Sequence, residues 1–197
     1  MNDNINRVRE GNESYIKNII NVRHGSVLEH GFINFQIVDV SRVFTHEVVR
    51  HRAGTAISQE SLRFVRANDL GYWIPPCFQD IIGIELMFED FFRYSEVTYR
   101  EVLLWAAIKE YGMDTNYSST KEGKDELERL FNDLPFDKKK MYTSAARRFL
   151  PIGMATKIGW SCNIRTLRAV LEMRTHPSAE EEIRFVFGQI GQIASKR

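Results

Sequence analysis

A chain of 197 residues with 43% hydrophobic residues is long enough to bury a proper core, and one domain over residues 1–197 is expected. Lys plus Arg number 27 against 26 Asp plus Glu, a net charge of +1, which argues against polyanion binding by bulk charge. Two cysteines, Cys77 and Cys162, are too few for a disulfide scaffold, and no uncharged apolar run reaches membrane-spanning length. The expectation is a cytoplasmic protein that engages neither membrane nor nucleic acid.

In chain order, residues 13–22 read as a short amphipathic helix with Tyr15, Ile19, Ile20 and Val22 facing inward. Residues 23–30 read as irregular. Residues 32–40 carry Ile33, Phe35 and Ile37 in alternation and, less cleanly, Val38 and Val40, which predicts a strand. Ser41 offers an N-cap, and Val43, Phe44, Val48 and Val49 give helical spacing up to Arg52, with Gly54 favouring a stop. Residues 61–65 are predicted as a strand on which Ser61 and Arg63 share one side, opposite Leu62 and Phe64. Trp73-Ile74-Pro75-Pro76 breaks the pattern. A long helix is predicted from about 80 to 112, with Ile84, Met87, Phe88, Phe91, Phe92, Val102, Leu103 and Trp105 as its core residues. Residues 113–125 read as a polar loop, followed by helices near 125–132 and 137–149 that end at Leu150-Pro151. The stretch 152–162 fits neither period. Asn163 caps a helix to Arg174, on which Leu167, Leu171 and Arg174 fall on one line. Pro177 and Ser178 introduce a last helix with Ile183, Val186, Phe187, Ile190 and Ala194 facing inward. The fold class expected is α+β: helix-rich, with a central, mostly antiparallel sheet.

The stretch 50–63 holds the densest chemistry. Arg50-His51-Arg52 stands at one end and Ser61-Leu62-Arg63 at the other, joined by a bend at Gly54. Guanidinium forks and hydroxyls recognise phosphate by charge-assisted hydrogen bonds, so two such clusters can hold two phosphorylated ligands side by side. His46-Glu47-Val48-Val49-Arg50-His51 nearly spells a zinc-hydrolase motif, but the second His lies at the fifth position, off the shared helix face, and no metal is expected. Cys77 after Pro76 and Cys162 beside Trp160 read as small buried residues, not nucleophiles. Basic residues interleaved with Phe64 and Trp73 suit a single-stranded nucleic-acid module, the weaker alternative at this charge.

The order Arg-His-Arg, eight residues, Ser-Leu-Arg resembles the signature of the flavin-dependent thymidylate synthases. The resemblance extends from about residue 10 to 195 through Leu28-Glu29-His30, Arg147 ahead of Pro151, Asn163-Ile164-Arg165-Thr166-Leu167, Leu171-Glu172-Met173-Arg174 and the Glu-Glu-Ile-Arg run ending at Arg184. It implies reductive methylation of dUMP at C5, with methylenetetrahydrofolate as carbon donor, FAD as carrier and NADPH as reductant, in a homotetramer whose active sites lie between subunits, Ser61 and Arg63 coming from one and Arg147 and Arg174 from a neighbour. It further implies that His30, Arg50, His51, Arg52 and Asn163 hold FAD, and that Glu60, Ser61, Arg63, Arg147 and Arg174 hold the nucleotide, with Ser61 and Arg174 in catalytic roles. Three features depart from the family pattern. The spacer between Arg52 and Ser61 is one residue longer, Glu47 stands where Gln is usual, and Ala169 replaces an Asn that helps with FAD. A related methylase or hydroxymethylase acting on UMP or another pyrimidine nucleotide fits the same frame.

Overall fold

The computed structural model describes residues 11–63 and 71–196. Three strands form an antiparallel sheet in the order β1-β3-β2: β1 is Phe32–Ser41, β2 Thr55–Gln59 and β3 Ala155–Asn163. Seven α-helices are described among these residues: α1 Asn12–Asn21, α2 Arg42–Val48, α3 Ile82–Tyr111, α4 Lys121–Asp133, α5 Phe136–Ala146, α6 Ile164–Arg174 and α7 Glu181–Ser195. The α+β, helix-rich expectation holds.

Strand β1 explains its own uneven alternation. Ile33, Phe35 and Ile37 turn to the core, but pairing with β3 slips between Ile37 and Val40, and Asp39 adopts φ 56°. This is a β-bulge: one extra residue lets the strand resume its inward phase one position late. Val38 is therefore 47% exposed, whereas Val40 is 5% exposed. Strand β3, the stretch whose period was unreadable, is the central strand. Its inward residues Thr156, Ile158, Trp160 and Cys162 recur at every second position, but the hydroxyl of Thr156 and the bare Gly159 blur the pattern in sequence.

One face of the sheet is covered by α2, α6 and α7. Phe44 and Val48 from α2, Leu167 and Val170 from α6, and Ile183, Phe187 and Ile190 from α7 close around Trp160. The Trp160 and Phe187 rings meet edge to face at 5.3 Å between centroids, a favoured aromatic geometry. The inward stripe read for α7 is thus correct. A second apolar cluster joins Tyr99, Leu103, Ala106 and Ala107 of α3 to Leu127 and Phe131 of α4.

Several boundaries and faces differ from the sequence reading. On α1 only Ile19 is buried, and Tyr15 and Val22 are exposed, because one helical turn alone reaches the core. On α3 the buried line is Phe92, Ser95, Tyr99, Leu103 and Ala106, so Met87, Phe91 and Trp105 lie on the opposite, exposed side. The helix itself ends as read, with Gly112 at φ 63° closing it, a left-handed cap that glycine adopts without steric cost. The segment read as a polar loop holds a 3-10 turn at Thr115–Ser119, and α4 begins already at Lys121, where the Thr120 side chain accepts from Gly123 N. Helix α2 stops at Val48, so Arg50, His51 and Arg52 lie in the turn beyond it. The strand assigned to 61–65 falls instead at Thr55–Gln59, where β-branched Thr55 and Ile57 pair with Cys162 and Trp160. Ser61 and Arg63 therefore share no strand face, and Phe64 and Val65 lie outside the described residues.

Candidate functional site

The turn between α2 and β2 is tied to the start of α6. Asn163 ends β3 and caps α6, its side-chain oxygen accepting from Thr166 N at 2.8 Å. Its backbone N donates to Gly54 O at 2.9 Å, and Thr166 Oγ1 donates to Ala53 O at 2.9 Å. Gly54 sits at φ 69°, and a Cβ there would stand 2.5 Å from Thr166 Oγ1 and closer still to Asn163 Nδ2. Only glycine lets the turn approach this closely.

The result is a groove of ≈ 780 Å³ whose walls include Arg50, His51, Arg52, Asn163, Arg165 and Met173. Arg50 and Arg52 are exposed, at the mouth of a helix N-terminus. Cationic forks, backbone edges and the positive end of a helix form a cradle for a phosphorylated ligand. The donor set fits a pyrophosphate-bearing cofactor such as FAD. Four of the five residues assigned to it by resemblance, Arg50, His51, Arg52 and Asn163, converge here. His30 is exposed, and its neighbour Glu29 lines the groove instead, paired with Arg165 Nη1 at 2.5 Å. Ala169 contributes only a methyl to the wall.

Arg174 lies at the far end of α6, with its side chain 15% exposed, and the Arg read on an apolar line is indeed largely buried. Its partners come from the end of α2. Nη1 donates to Glu47 Oε2 at 2.9 Å, and Nε donates to His51 Nε2 at 2.7 Å. A guanidinium has no lone pair to offer, so His51 Nε2 is the acceptor and the neutral ring carries its proton on Nδ1. Burial and then the Arg174 charge hold the His51 pKa below the ordinary imidazole value, against the opposing pull of Glu47. The Arg-His-Arg turn therefore presents the Arg50 and Arg52 side chains on either side of a histidine that accepts from Arg174.

The remaining candidates gather at the other end of α2. Glu60, Ser61 and Arg63 follow β2 in a turn in which Ser61 Oγ accepts from Arg63 N at 3.4 Å, and Arg63 O accepts from Thr143 Oγ1 at 3.3 Å. Arg42, the first residue of α2, donates from Nη2 to Glu60 O at 3.2 Å. Arg147 is near enough to depress the Arg42 pKa, after burial and against Glu60. The five nucleotide candidates thus divide within one chain: Glu60, Ser61, Arg63 and Arg147 at the start of α2, Arg174 at its end. Arg42 is the residue that sequence reading passed over. Its Nε is buried without a hydrogen-bond partner among the described residues, which is costly for a cation. The available signal was a cation directly after the Ser41 cap and ahead of buried Phe44.

A family model described as thymidylate synthase complementing protein matches residues 1–197. The chain is similar to proteins named flavin-dependent thymidylate synthase from Mycobacterium sp. (strain KMS), 35% identical over 173 residues, 88% of this chain and 62% of that protein. The protein of the same name from Mycobacterium avium (strain 104) is 34% identical over 175 residues, 88% of this chain and 61% of that one. The protein from Mycobacterium tuberculosis (strain ATCC 25177 / H37Ra) is 32% identical, with the same coverage. The chain spans about 62% of the length of the curated relatives it matches. With the Arg-His-Arg turn, the Asn163 cap and the groove between them in place, the chain belongs to the thymidylate synthase complementing protein family.

Proposed function

We propose that the chain, as a single domain over residues 1–197, is a flavin-dependent thymidylate synthase that converts dUMP to dTMP with methylenetetrahydrofolate and NADPH. The observation that carries this reading is the convergence of Arg50, His51, Arg52 and Asn163 on one groove. Arg50 and Arg52 would hold the anionic part of FAD, while Asn163 and the Gly54 turn would present amide and backbone edges to it. When bound, FAD supplies the redox and one-carbon chemistry. The protein's task is then to hold, orient and polarise. Ser61, Arg63 and Arg147 suit a phosphate monoester, with Glu60 beside them. Arg174 against the uracil carbonyls stabilises negative charge as C5 becomes nucleophilic. The working form is a cytoplasmic homotetramer, which brings the two residue groups together between subunits.

Titration with FAD tests the reading. The wild-type protein is expected to bind FAD and to form dTMP from dUMP when methylenetetrahydrofolate and NADPH are added. Arg50→Ala or Arg52→Ala is expected to weaken FAD about tenfold or more, since a hydrogen bond to a charged group contributes about 1.5–3 kcal/mol. A wild-type protein that takes up no FAD ends this proposal.

No thiolate is required. Burial in β3 raises the Cys162 thiol to about 11, far from a reactive poise, and Cys77 sits exposed in the Pro76–Phe78 turn. Replacing both by alanine is expected to leave turnover within about tenfold, allowing for modest core loss. Complete loss of turnover in a folded double variant would put a cysteine into the mechanism.

A further inference from the structure

Glu182 is a charged residue in the core that the proposed chemistry does not use. It is 1% exposed and sits in the first turn of α7. Its Oε1 accepts from Ser41 N at 2.6 Å, and its Oε2 accepts from Ser41 Oγ. Ser41 is the joint between β1 and α2: it ends the strand, and its Oγ caps the helix by accepting from Phe44 N at 3.1 Å. The carboxylate thus fixes where the Ser41 proton points, leaving a lone pair for the Phe44 N–H. Burial raises the Glu182 pKa, with the two Ser41 bonds opposing, so an ionised side chain here costs stability and is offset only in part.

We propose that Glu182 is a positioning residue, which sets the axial position and rotation of α2 through Ser41 and so places Glu47 and His51 for the Arg174 contact and the groove. Phe44 also meets Phe187 of α7 at 6.2 Å between ring centroids, an apolar contact. On its other sides α2 is held by Arg42 N and Val43 N donating to Met154 O and Ile152 O at 3.2 Å and by Gln59 Nε2 donating to Thr45 Oγ1 at 3.1 Å; Glu182 with Ser41 is the polar tie on the α7 side. Helix α2 has only seven residues, a length of about 10 Å at 1.5 Å per residue. A helix this short shifts largely as one piece, so a displacement at Ser41 is passed to Glu47 and, through the His51 N–H that donates to Val48 O at 3.0 Å, to the turn that carries His51. The proposal deepens the flavin reading, but its first test needs no flavin.

The His51 imidazole is titrated by NMR in the flavin-free protein for wild type, Glu182→Gln, Ser41→Ala and Ile190→Val. The last removes one buried methylene from the same helix, away from Ser41. Glu182→Gln and Ser41→Ala are expected to raise the His51 pKa toward its ordinary value as the Arg174 contact loosens, with Ile190→Val unchanged at a matched melting temperature. In the second measurement, FAD affinity is expected to fall at least about tenfold in the first two variants, the scale on which misplaced binding groups are felt, and to stay within about twofold in Ile190→Val. If Glu182→Gln does not fold, Ser41→Ala carries the test from the other side of the same link. A His51 titration unmoved in the folded variants, or moved equally by Ile190→Val, overturns the proposal. Failure of the wild type to bind FAD overturns the flavin reading alone and leaves the His51 result to decide this one.

Discussion

Arg174→Ala is expected to lower kcat/KM for dUMP by at least about thirtyfold, equivalent to roughly 2 kcal/mol of transition-state stabilisation. The expectation rests on where the guanidinium stands: largely buried and held between Glu47 and His51, so that its charge is fixed in place before the developing negative charge has to be met. Flavin affinity should change less than about tenfold, because Arg50 and Arg52 remain and the Glu182–Ser41 tie still holds α2 in place. The substitution also removes the second-largest influence that lowers the His51 pKa. The imidazole should therefore titrate at higher pH, now beside the unpaired carboxylate of Glu47. Arg174→Lys keeps one charge but cannot bond Glu47 and His51 together, and an intermediate kcat/KM is expected. Steady-state kinetics with an NMR titration of His51 checks both parts. An unchanged kcat/KM would reduce Arg174 to a structural tie between α6 and α2.

Mixed assemblies should recover activity that neither parent has. Arg147 lies beside Arg42 and Glu60, on the side of Ser61 and Arg63, and Arg174 lies at the opposite end of α2. In the proposed homotetramer, a site that needs both groups would be built from the start of α2 in one subunit and the end of α2 in a neighbour, repeated by symmetry. Ser61→Ala and Arg174→Ala should each be inactive, since every site in either lacks one half. When the two are unfolded and reassembled together, about a quarter of the sites should draw both intact halves from different parents, by random pairing in a symmetric oligomer. Reassembly of each variant alone should stay inactive. Sedimentation must show an oligomer at working concentration. A monomer, or verified hybrids as inactive as their parents, would return all the residues to one chain.

Much of the fold was legible because the rules that set it act over a few residues. Ser41 and Asn163 cap their helices as read, since a cap is a bond to a backbone N–H three positions on. Helix α7 shows its inward stripe because a 3.6-residue period repeats locally, and Gly112 closes α3 because only its own dihedrals are at stake. The cationic composition of Arg50-His51-Arg52 was equally plain in the sequence, and the structure sets it in one groove with Asn163. What the sequence by itself determined is therefore the local inventory: caps, periods and the cationic turn. Only the tertiary structure decided that 155–163 is the central strand, because its phase is set by two neighbours distant in sequence. Packing alone decided which cations meet. Arg174 reaches His51 across 123 positions and Glu47 across 127, and Arg147 falls beside Arg42. No local spacing encodes such pairs. They arise when α2, α6 and α7 bury their apolar faces on one side of the sheet and α5 packs into the second cluster with α3, and the polar residues at the helix ends are carried to wherever that packing leaves them.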